Sequence, residues 1–367
     1  MIPPSMEQSA LLEQHLARGA RLADRLEAPG HAAPLSFGDV PAEYEAARTR
    51  CGLLDVTDRG ALVVRGADAS DFLHRLLANH VKSLAPNEGN RNLLLSPKGK
   101  VLHEFELVRR AEHFDVSAPP GRAEPLRTAL ETFHFSEDVS LEPRTANHAP
   151  LELCGPGART VLENALGAAP LPRREYEWSD TTWRGRELRI ALLPVAGAPG
   201  FRLEVAPERV IELWECLVTS GARPCGLAAR DSLRVEAGSP LYGLDIDENV
   251  YPQEAGLESA FALDKGCYVG QEVVAKIDTY GGLNKRLLVL RIDHSDPVAR
   301  GTGLFDSSEG ERRELGMITS WAYSFLLDTG LVLAYVKRRH QEPNTVFELA
   351  SGGRATVVPP PGVRATT

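Results

Sequence analysis

Helical and strand patterns alternate irregularly along this chain, and this irregularity limits its fold more than any other feature of the sequence. Apolar residues recur at helical spacing in 158–166 and 208–220, whereas short aliphatic runs between turn residues mark strands. No strand–helix–strand cadence and no internal repeat of fixed length is present. The pattern therefore predicts an α+β fold and argues against a doubly wound parallel sheet.

Three regions carry the clearest strand signals. Residues 92–95 and 101–108, separated by a Ser-Pro-Lys-Gly turn, predict a hairpin. Residues 53–56 and 61–64, on either side of Asp-Arg-Gly, predict a second pair of strands. From about Asn284 onward only short strand patterns remain, which predicts a small C-terminal barrel or sandwich.

Length and charge narrow the class of protein. The chain has 367 residues, enough for two to three domains, and its net charge of −9 argues against a general nucleic-acid coat. No apolar run approaches the ~18 residues of a membrane helix. Residues 1–10 lack the cationic and apolar segments of a secretory signal. We therefore expect a cytoplasmic protein that binds neither nucleic acid nor membrane.

The five cysteines are scattered and include no CxxC pair. That spacing argues against a disulfide framework, an ordinary zinc site or a self-contained cysteine-ligated iron–sulfur cluster. Cys154 and Cys216 lie in apolar stretches and are expected to be packing residues. Cys267 lies two positions after Lys265 and between two glycines, an electropositive and accessible setting that is typical of reactive thiols. Local sequence leaves a functional and an incidental Cys267 equally open.

A predicted helix over 227–236 carries two arginines four positions apart, Arg230 and Arg234, which project from one face. Guanidinium forks suit a carboxylate or a phosphate. The alternative is that Asp231 and Glu236 neutralise the pair locally, and spacing alone does not decide between the two. The acidic segment 245–256 imitates a calcium loop but lacks its glycine and its final glutamate, so we reject calcium.

Several segments together resemble the glycine-cleavage T-protein (aminomethyltransferase) superfamily. They are YEAARTRCGLLDVTDRG at 44–60, GARPCGLAARDSLRVEAGSPLYG at 221–243 and GMITS at 316–320. The octapeptide KGCYVGQE at 265–272 is similar to the hallmark of the YgfZ branch, folate-binding proteins that support iron–sulfur cluster assembly or repair. Its motif residues are Lys265, Gly266, Cys267, Tyr268, Gly270, Gln271 and Glu272.

The resemblance implies three domains in a cloverleaf around a central channel that holds tetrahydrofolate, with a C-terminal β-barrel. Arg230, Arg234 and Tyr242 match positions that line the channel, and the hairpin supplies a further wall through Leu93, Leu94 and Leu95. The implied divisions are an N-terminal folate-binding-type domain (1–148), a second α+β domain (149–223), a channel-lining segment that exchanges with the first domain (224–283), the barrel (284–358) and a loose tail (359–367).

Two departures from the family are visible. Aminomethyltransferases carry an Asp-Asp pair after the hairpin turn, where this chain has His103 and Glu104. Their Tyr-Thr-Gly-Glu stretch, whose acid holds the pterin, is matched here by Val-Ala-Gly-Ala at 195–198. Loss of these acids removes charge partners that transfer of a cationic aminomethyl group would use, so glycine cleavage is disfavoured.

The leading hypothesis is a tetrahydrofolate-binding accessory factor for iron–sulfur proteins, with Cys267 and Lys265 as functional residues. The alternative is folate-dependent aminomethyl or other one-carbon transfer, in which Glu104 partly replaces the missing acids. A third hypothesis is a scaffold that has lost folate binding.

Overall fold

The computed structural model describes residues 9–23, 33–306 and 313–363. Most of the N-terminal stretch considered for a secretory signal, and the last four residues of the predicted tail, lie outside this range. None of the described helices is long and apolar enough to cross a membrane. The helices are α1 (Leu12–Ala17), α2 (Val40–Thr49), α3 (Ala69–Leu76), α4 (Ala123–Glu131), α5 (Ala158–Leu166), α6 (Val210–Thr219), α7 (Leu227–Glu236) and α8 (Gln271–Tyr280).

The strands form a two-stranded ribbon, two larger sheets and a closed barrel. Helices and largely antiparallel strands together confirm the predicted α+β class, and the barrel confirms the expected C-terminal domain. The strands are β1 (Arg21–Leu22), β2 (Pro34–Ser36), β3 (Gly52–Asp55), β4 (Gly60–Arg65), β5 (Gly89–Leu95), β6 (Val101–Arg109), β7 (His113–Ala118), β8 (Ser140–Pro143), β9 (Ala149–Cys154), β10 (Trp178–Trp183), β11 (Arg186–Val195), β12 (Ala198–Val205), β13 (Arg223–Pro224), β14 (Lys285–Ile292), β15 (Gly303–Phe305), β16 (Glu314–Ser324), β17 (Thr329–Lys337), β18 (Val346–Leu349) and β19 (Arg354–Val358).

The described chain divides into two compact units. The first comprises residues 1–75, 80–92 and 103–230, and the second comprises 76–79, 93–102 and 231–367. The second unit therefore takes two short pieces from the N-terminal part of the chain. The boundaries implied by the family resemblance stay predictions.

The six-stranded sheet of the first unit runs in the order β10-β11-β12-β9-β3-β13. Its pairs are antiparallel except β13, which lies parallel to β3. Helices α5 and α6 contribute apolar residues to the same core, where Leu153, Leu203, Leu213 and Trp214 are fully buried. Burial of these side chains supplies the main stabilisation of this layer.

The five-stranded sheet has the order β5-β6-β7-β4-β8, and it corrects one prediction. The segments 53–56 and 61–64 do form strands, β3 and β4, but they do not pair with each other. β3 pairs with β9 and β13, whereas β4 pairs with β7 and β8. Both strands are almost wholly buried, so their partners are set by long-range packing rather than by the short turn that joins them.

The barrel in the second unit closes in the order β14-β17-β16-β15-β18-β19. Inward side chains such as Leu290, Ile318, Val332 and Phe347 fill it. The predicted tail is attached where it is described, because the Gly362 amide donates to the Glu236 carbonyl oxygen at 2.8 Å.

Candidate functional site

The octapeptide 265–272 leads into α8, and its second glycine fixes where that helix begins. Gly270 has φ +82° and lies directly before α8. A Cβ at this position would stand 2.5 Å from the Ser96 carbonyl oxygen and 3.0 Å from the Gly99 Cα atom. Only glycine combines this backbone conformation with so close an approach. The start of α8 is therefore packed against the tip of the hairpin formed by β5 and β6.

Two buried side chains hold the loop on either side of the cysteine. Lys265 is 8% exposed, and its ammonium group donates to the Leu77 carbonyl oxygen at 2.5 Å. The Lys265 nitrogen also lies 5.1 Å from the centre of the Tyr268 ring. Burial lowers the pKa of Lys265 to about 8 and raises the pKa of Tyr268 to about 12. Both residues act as anchors of the loop, and a catalytic role for Lys265 stays a prediction.

Gly266, Cys267 and Glu272 face solvent, and Gln271 is half-buried. Gly266 has φ +97°, and a Cβ at this position would have no other atom within 4 Å. Cys267 is an exposed free thiol. Glu272 forms an ion pair with Lys276 at 2.6 Å, but both side chains are largely exposed and such pairs contribute little. Packing accounts for Lys265, Tyr268 and Gly270, and it leaves Cys267 unexplained.

The other four cysteines are less accessible than Cys267. Cys51, Cys154 and Cys225 are buried, and Cys216 is half-buried. Burial raises the pKa of Cys51 and of Cys225 to about 12 and also raises the pKa of Cys154. These three thiols stay protonated at neutral pH, and Cys267 is the one exposed thiol of the five.

Arg234 is engaged by the protein itself. It is 4% exposed, and its Nε, Nη1 and Nη2 atoms donate to Asp231, Asp245 and Ser320 at 2.7, 2.9 and 3.0 Å. Each guanidinium nitrogen thus has an acceptor, as in the local-neutralisation alternative for Asp231. The Glu236 carboxylate accepts from the Ser324 hydroxyl at 2.7 Å. Neutralisation of the arginine pair by Glu236 stays a prediction.

Asp245 is the centre of this network. It also accepts hydrogen bonds from the Leu241 amide at 2.9 Å, the Ser320 hydroxyl at 2.7 Å and the Thr319 hydroxyl at 2.5 Å. The Tyr335 hydroxyl donates to its backbone carbonyl at 2.8 Å. The GMITS segment at 316–320 therefore supplies two hydroxyl groups that help to hold a buried ion pair.

The other predicted folate residues have mixed surroundings. The Tyr242 hydroxyl donates to the Leu102 carbonyl oxygen, and Arg230 is half-buried. Leu94 and Leu95 are 0% and 1% exposed and pack as core residues. Arg230 belongs to the first unit, whereas Arg234, Tyr242, Leu94 and Leu95 belong to the second. Contact of any of them with folate stays a prediction.

His103 and Glu104 are neighbours on β6, and their side chains therefore point to opposite faces of the sheet. His103 shares the buried face of Phe105, and burial, assisted by Arg122, lowers its pKa to about 4. The Glu104 Oε1 atom accepts from the Arg91 Nε atom at 2.6 Å. Its Oε2 atom is buried and has no hydrogen-bond partner among the residues that the structure describes. The two side chains thus do not form a joint acidic or acid–base pair.

Glu106, on the same face as Glu104, belongs to a buried charge cluster that local sequence did not reveal. Arg202 is 1% exposed and donates to Glu152 at 2.7 Å and to Glu106 at 3.1 Å. Arg59 adds an ion pair to Glu106 at 3.2 Å. Arg202, an arginine within the apolar pattern of β12, was the sequence signal that could have indicated this cluster.

Within the described ranges no group of three or more histidine, cysteine, aspartate or glutamate residues has the arrangement of a metal site.

Comparison with known families decides the relationship of this chain. A profile described as the GCVT N-terminal domain matches residues 11–265, and one described as the glycine cleavage T-protein C-terminal barrel domain matches residues 285–363. The chain belongs to the glycine cleavage T-protein family.

T-protein relatives match along most of the chain. The aminomethyltransferase of Rubrobacter xylanophilus is 33% identical over 339 residues, covering 90% of this chain and 87% of the relative. The aminomethyltransferase of Thermus thermophilus is 31% identical over 357 residues, covering 95% and 96%. The crystal structure of glycine cleavage system aminomethyltransferase T from Bartonella henselae matches with a TM-score of 0.85 at 26% identity, covering 98% of each chain.

Residues 195–198, which the resemblance matches to a Tyr-Thr-Gly-Glu stretch, form a tight turn in this chain. It joins β11 to β12, with Ala196 at φ 49° and Gly197 at φ 85°. Two successive residues with positive φ are typical of a two-residue hairpin turn. The turn carries no carboxylate, so Glu104 is the remaining acid at the positions where this chain departs from its family.

Proposed function

We propose that this protein binds tetrahydrofolate or a one-carbon derivative of it and acts in one-carbon transfer, as a member of the aminomethyltransferase family. Membership of that family over nearly the whole chain supports the proposal. When bound, the reduced folate would carry the one-carbon unit. The residues of this chain would bind and orient it.

The observation that carries the proposal is the unsatisfied carboxylate oxygen of Glu104. A buried acceptor without a donor destabilises a protein, and a bound ligand that offers an N–H group would satisfy it. Reduced pterin rings carry such donors. Arg91 holds the other oxygen of Glu104 at 2.6 Å and fixes the orientation of the carboxylate. The residue that replaces the family's acids is therefore suited to contact a folate ring.

The test is turnover of a methylene-folate with a lipoyl carrier protein or another acceptor. Glu104→Gln keeps the shape of the side chain and removes its charge, so we expect about 100-fold slower turnover with the fold intact. Glu348→Gln, the same change on a barrel strand, is the control and should turn over at the wild-type rate. Wild-type turnover in Glu104→Gln would contradict the role of this carboxylate.

A second candidate function is favoured by the octapeptide. We propose, as the alternative, a YgfZ-type folate-binding factor that supports iron–sulfur cluster assembly or repair through Cys267. The support is that Lys265 and Tyr268 are buried on either side of this thiol while Cys267 itself is exposed. One thiol does not hold a cluster alone, so a cluster would also need ligands from a partner protein or a small thiol.

Replacement of Cys267 by serine separates the two candidates. The YgfZ-type function predicts loss of iron–sulfur enzyme activity in cells that depend on this protein, with folate affinity unchanged. Cys216→Ser, at the half-buried thiol, is the matched control and should complement fully. Full complementation by Cys267→Ser would reject the thiol function and leave the one-carbon function standing.

A further inference from the structure

A cavity of about 230 Å³ lies in the first unit, away from every residue assigned above to folate or to thiol chemistry. Its walls come from three parts of the chain: the segment 144–148 after β8, the start of β11, and the end of β12 with the turn that follows. Its charged and amide-bearing wall residues are Arg144, Asn147, His148, Arg186, Glu187, Arg189, Glu204, Glu208 and Arg209.

Four guanidinium groups from three segments line this space, and two of them, Arg144 and Arg186, are not fully neutralised by nearby acids. Arg189 and Arg144 approach the same carboxylate, Asp115, at 2.9 and 3.5 Å. Asp115 is shared further with Arg110 at 2.7 Å. The Arg186 guanidinium makes no hydrogen bond or ion pair with any residue in the described part of the chain. Arg189 pairs in addition with Glu187 at 2.7 Å, and Arg209 pairs with Glu212 at 2.6 Å. Arg144 and Arg186 are therefore the wall arginines whose charge is least compensated, and they direct a positive field at the cavity.

His148 is the most informative wall residue. It is 9% exposed, and its Nε2 atom is buried without a hydrogen-bond partner in the described ranges. The nearest acidic group is Glu204, at 3.7 Å, beyond hydrogen-bond distance. A buried ring nitrogen without a partner is costly unless a ligand or a water molecule satisfies it.

A second cavity of about 20 Å³ shares part of its wall with the first. Arg144, His148, Arg189 and Glu204 line both spaces. The smaller space has room for about one water molecule, whereas the larger one is large enough for a small metabolite.

We propose that this cavity binds a small phosphate monoester, with its phosphate against the arginines. Guanidinium forks match the geometry and the charge of a phosphate, and convergence from several segments favours a dianion. His148 Nε2 supplies one further polar contact. Glu208, also in the wall, is an acceptor for hydroxyl groups on the organic part of the ligand, whereas Glu187 is already paired with Arg189. The proposal is independent of folate binding.

The test is calorimetric titration of the full chain with ribose 5-phosphate, ribose and inorganic phosphate. We expect saturable binding of ribose 5-phosphate, weaker binding of inorganic phosphate and none of ribose. Arg186→Gln and Arg144→Gln should each weaken ribose 5-phosphate binding about tenfold. Arg291→Gln, at an exposed arginine on a barrel strand, is the matched control and should bind as the wild type does.

Three outcomes would overturn the proposal. They are the absence of saturable binding by ribose 5-phosphate, wild-type affinity in both Arg186→Gln and Arg144→Gln, and equal affinity for ribose 5-phosphate and inorganic phosphate. The last outcome would indicate a site for a free anion instead of a phosphorylated metabolite. Because Arg186 is exposed and unpaired among the described residues, its replacement leaves the fold intact and keeps the test decisive.

Discussion

At the level of single residues, Arg202 and Glu106 show how buried charges in this protein are paired. Burial would raise the pKa of Glu106, but Arg202 and Arg59 lower it to about 2. Arg202 also binds Glu152, so one arginine serves two carboxylates. Removal of one partner from such a cluster leaves uncompensated buried charge, which costs far more than the intact cluster contributes.

Arg202→Leu is therefore expected to lower the free energy of unfolding by about 3–5 kcal/mol at pH 7. The depressed pKa of Glu106 stabilises the wild type above the unfolded value of roughly 4.3. That contribution is lost as pH falls from about 4.5 towards 2, so the difference between wild type and variant should shrink over this range. Urea unfolding at pH 7, 4 and 3 measures it, with Arg291→Leu as control. Equal stability of wild type and Arg202→Leu at pH 7 would refute this account.

Arg234 shows which partners of a single residue can be predicted from the sequence and which cannot. Helical spacing correctly indicated Asp231 as a local partner, because i and i+3 residues meet on one helix face. Asp245 and Ser320 lie 11 and 86 positions away and are brought to Arg234 by the fold. The Glu236 carboxylate accepts from Ser324 on a distant strand, a contact that spacing along α7 does not indicate. Long-range partners of this kind have no local signature.

At the level of elements, the start of α8 depends on its contact with the hairpin turn. Gly99, at φ +72°, and Gly270, at φ +82°, face each other across this contact, and a Cβ on either would collide with the other segment. Two of the motif's residues, Lys265 and Tyr268, then bury the loop that precedes the helix. These contacts fix the backbone on either side of the exposed Cys267.

Gly270→Ala is expected to destabilise the protein by about 2–4 kcal/mol, because it combines a strained backbone with a contact at 2.5 Å. Gly266→Ala has a similar positive φ but open space around it, so we expect only about 1 kcal/mol. Chemical denaturation of the two variants checks the difference. Equal destabilisation would show that backbone strain alone, without the contact to the hairpin, accounts for the glycine.

Elements with strong periodicity were predicted well from sequence, whereas short ones and pairings were not. The helix predicted over 227–236 is α7, Leu227–Glu236, and the predicted hairpin is β5 with β6. β15, with three residues, and β19 were not predicted, since short strands give little alternation to detect. β3 and β4 were predicted as strands but wrongly paired, because strand partners depend on the whole sheet.

At the scale of the whole molecule, two lines of argument support two different functions. One is family membership over nearly the entire chain, and the other is the local chemistry of the two candidate sites. The T-protein family supports folate-dependent one-carbon transfer, for which we propose Glu104 as the acting carboxylate. The exposed Cys267 supports the YgfZ-type alternative. Both proposals share reduced-folate binding as their common requirement.

Calorimetric titration of tetrahydrofolate under anaerobic conditions tests that requirement most directly. The account predicts saturable binding to one site in the wild type, and affinity about tenfold lower in Glu104→Gln through loss of a buried charged acceptor. Glu348→Gln should bind as the wild type does. Absence of saturable binding by the wild type would contradict both functional proposals and would favour a scaffold that has lost folate binding.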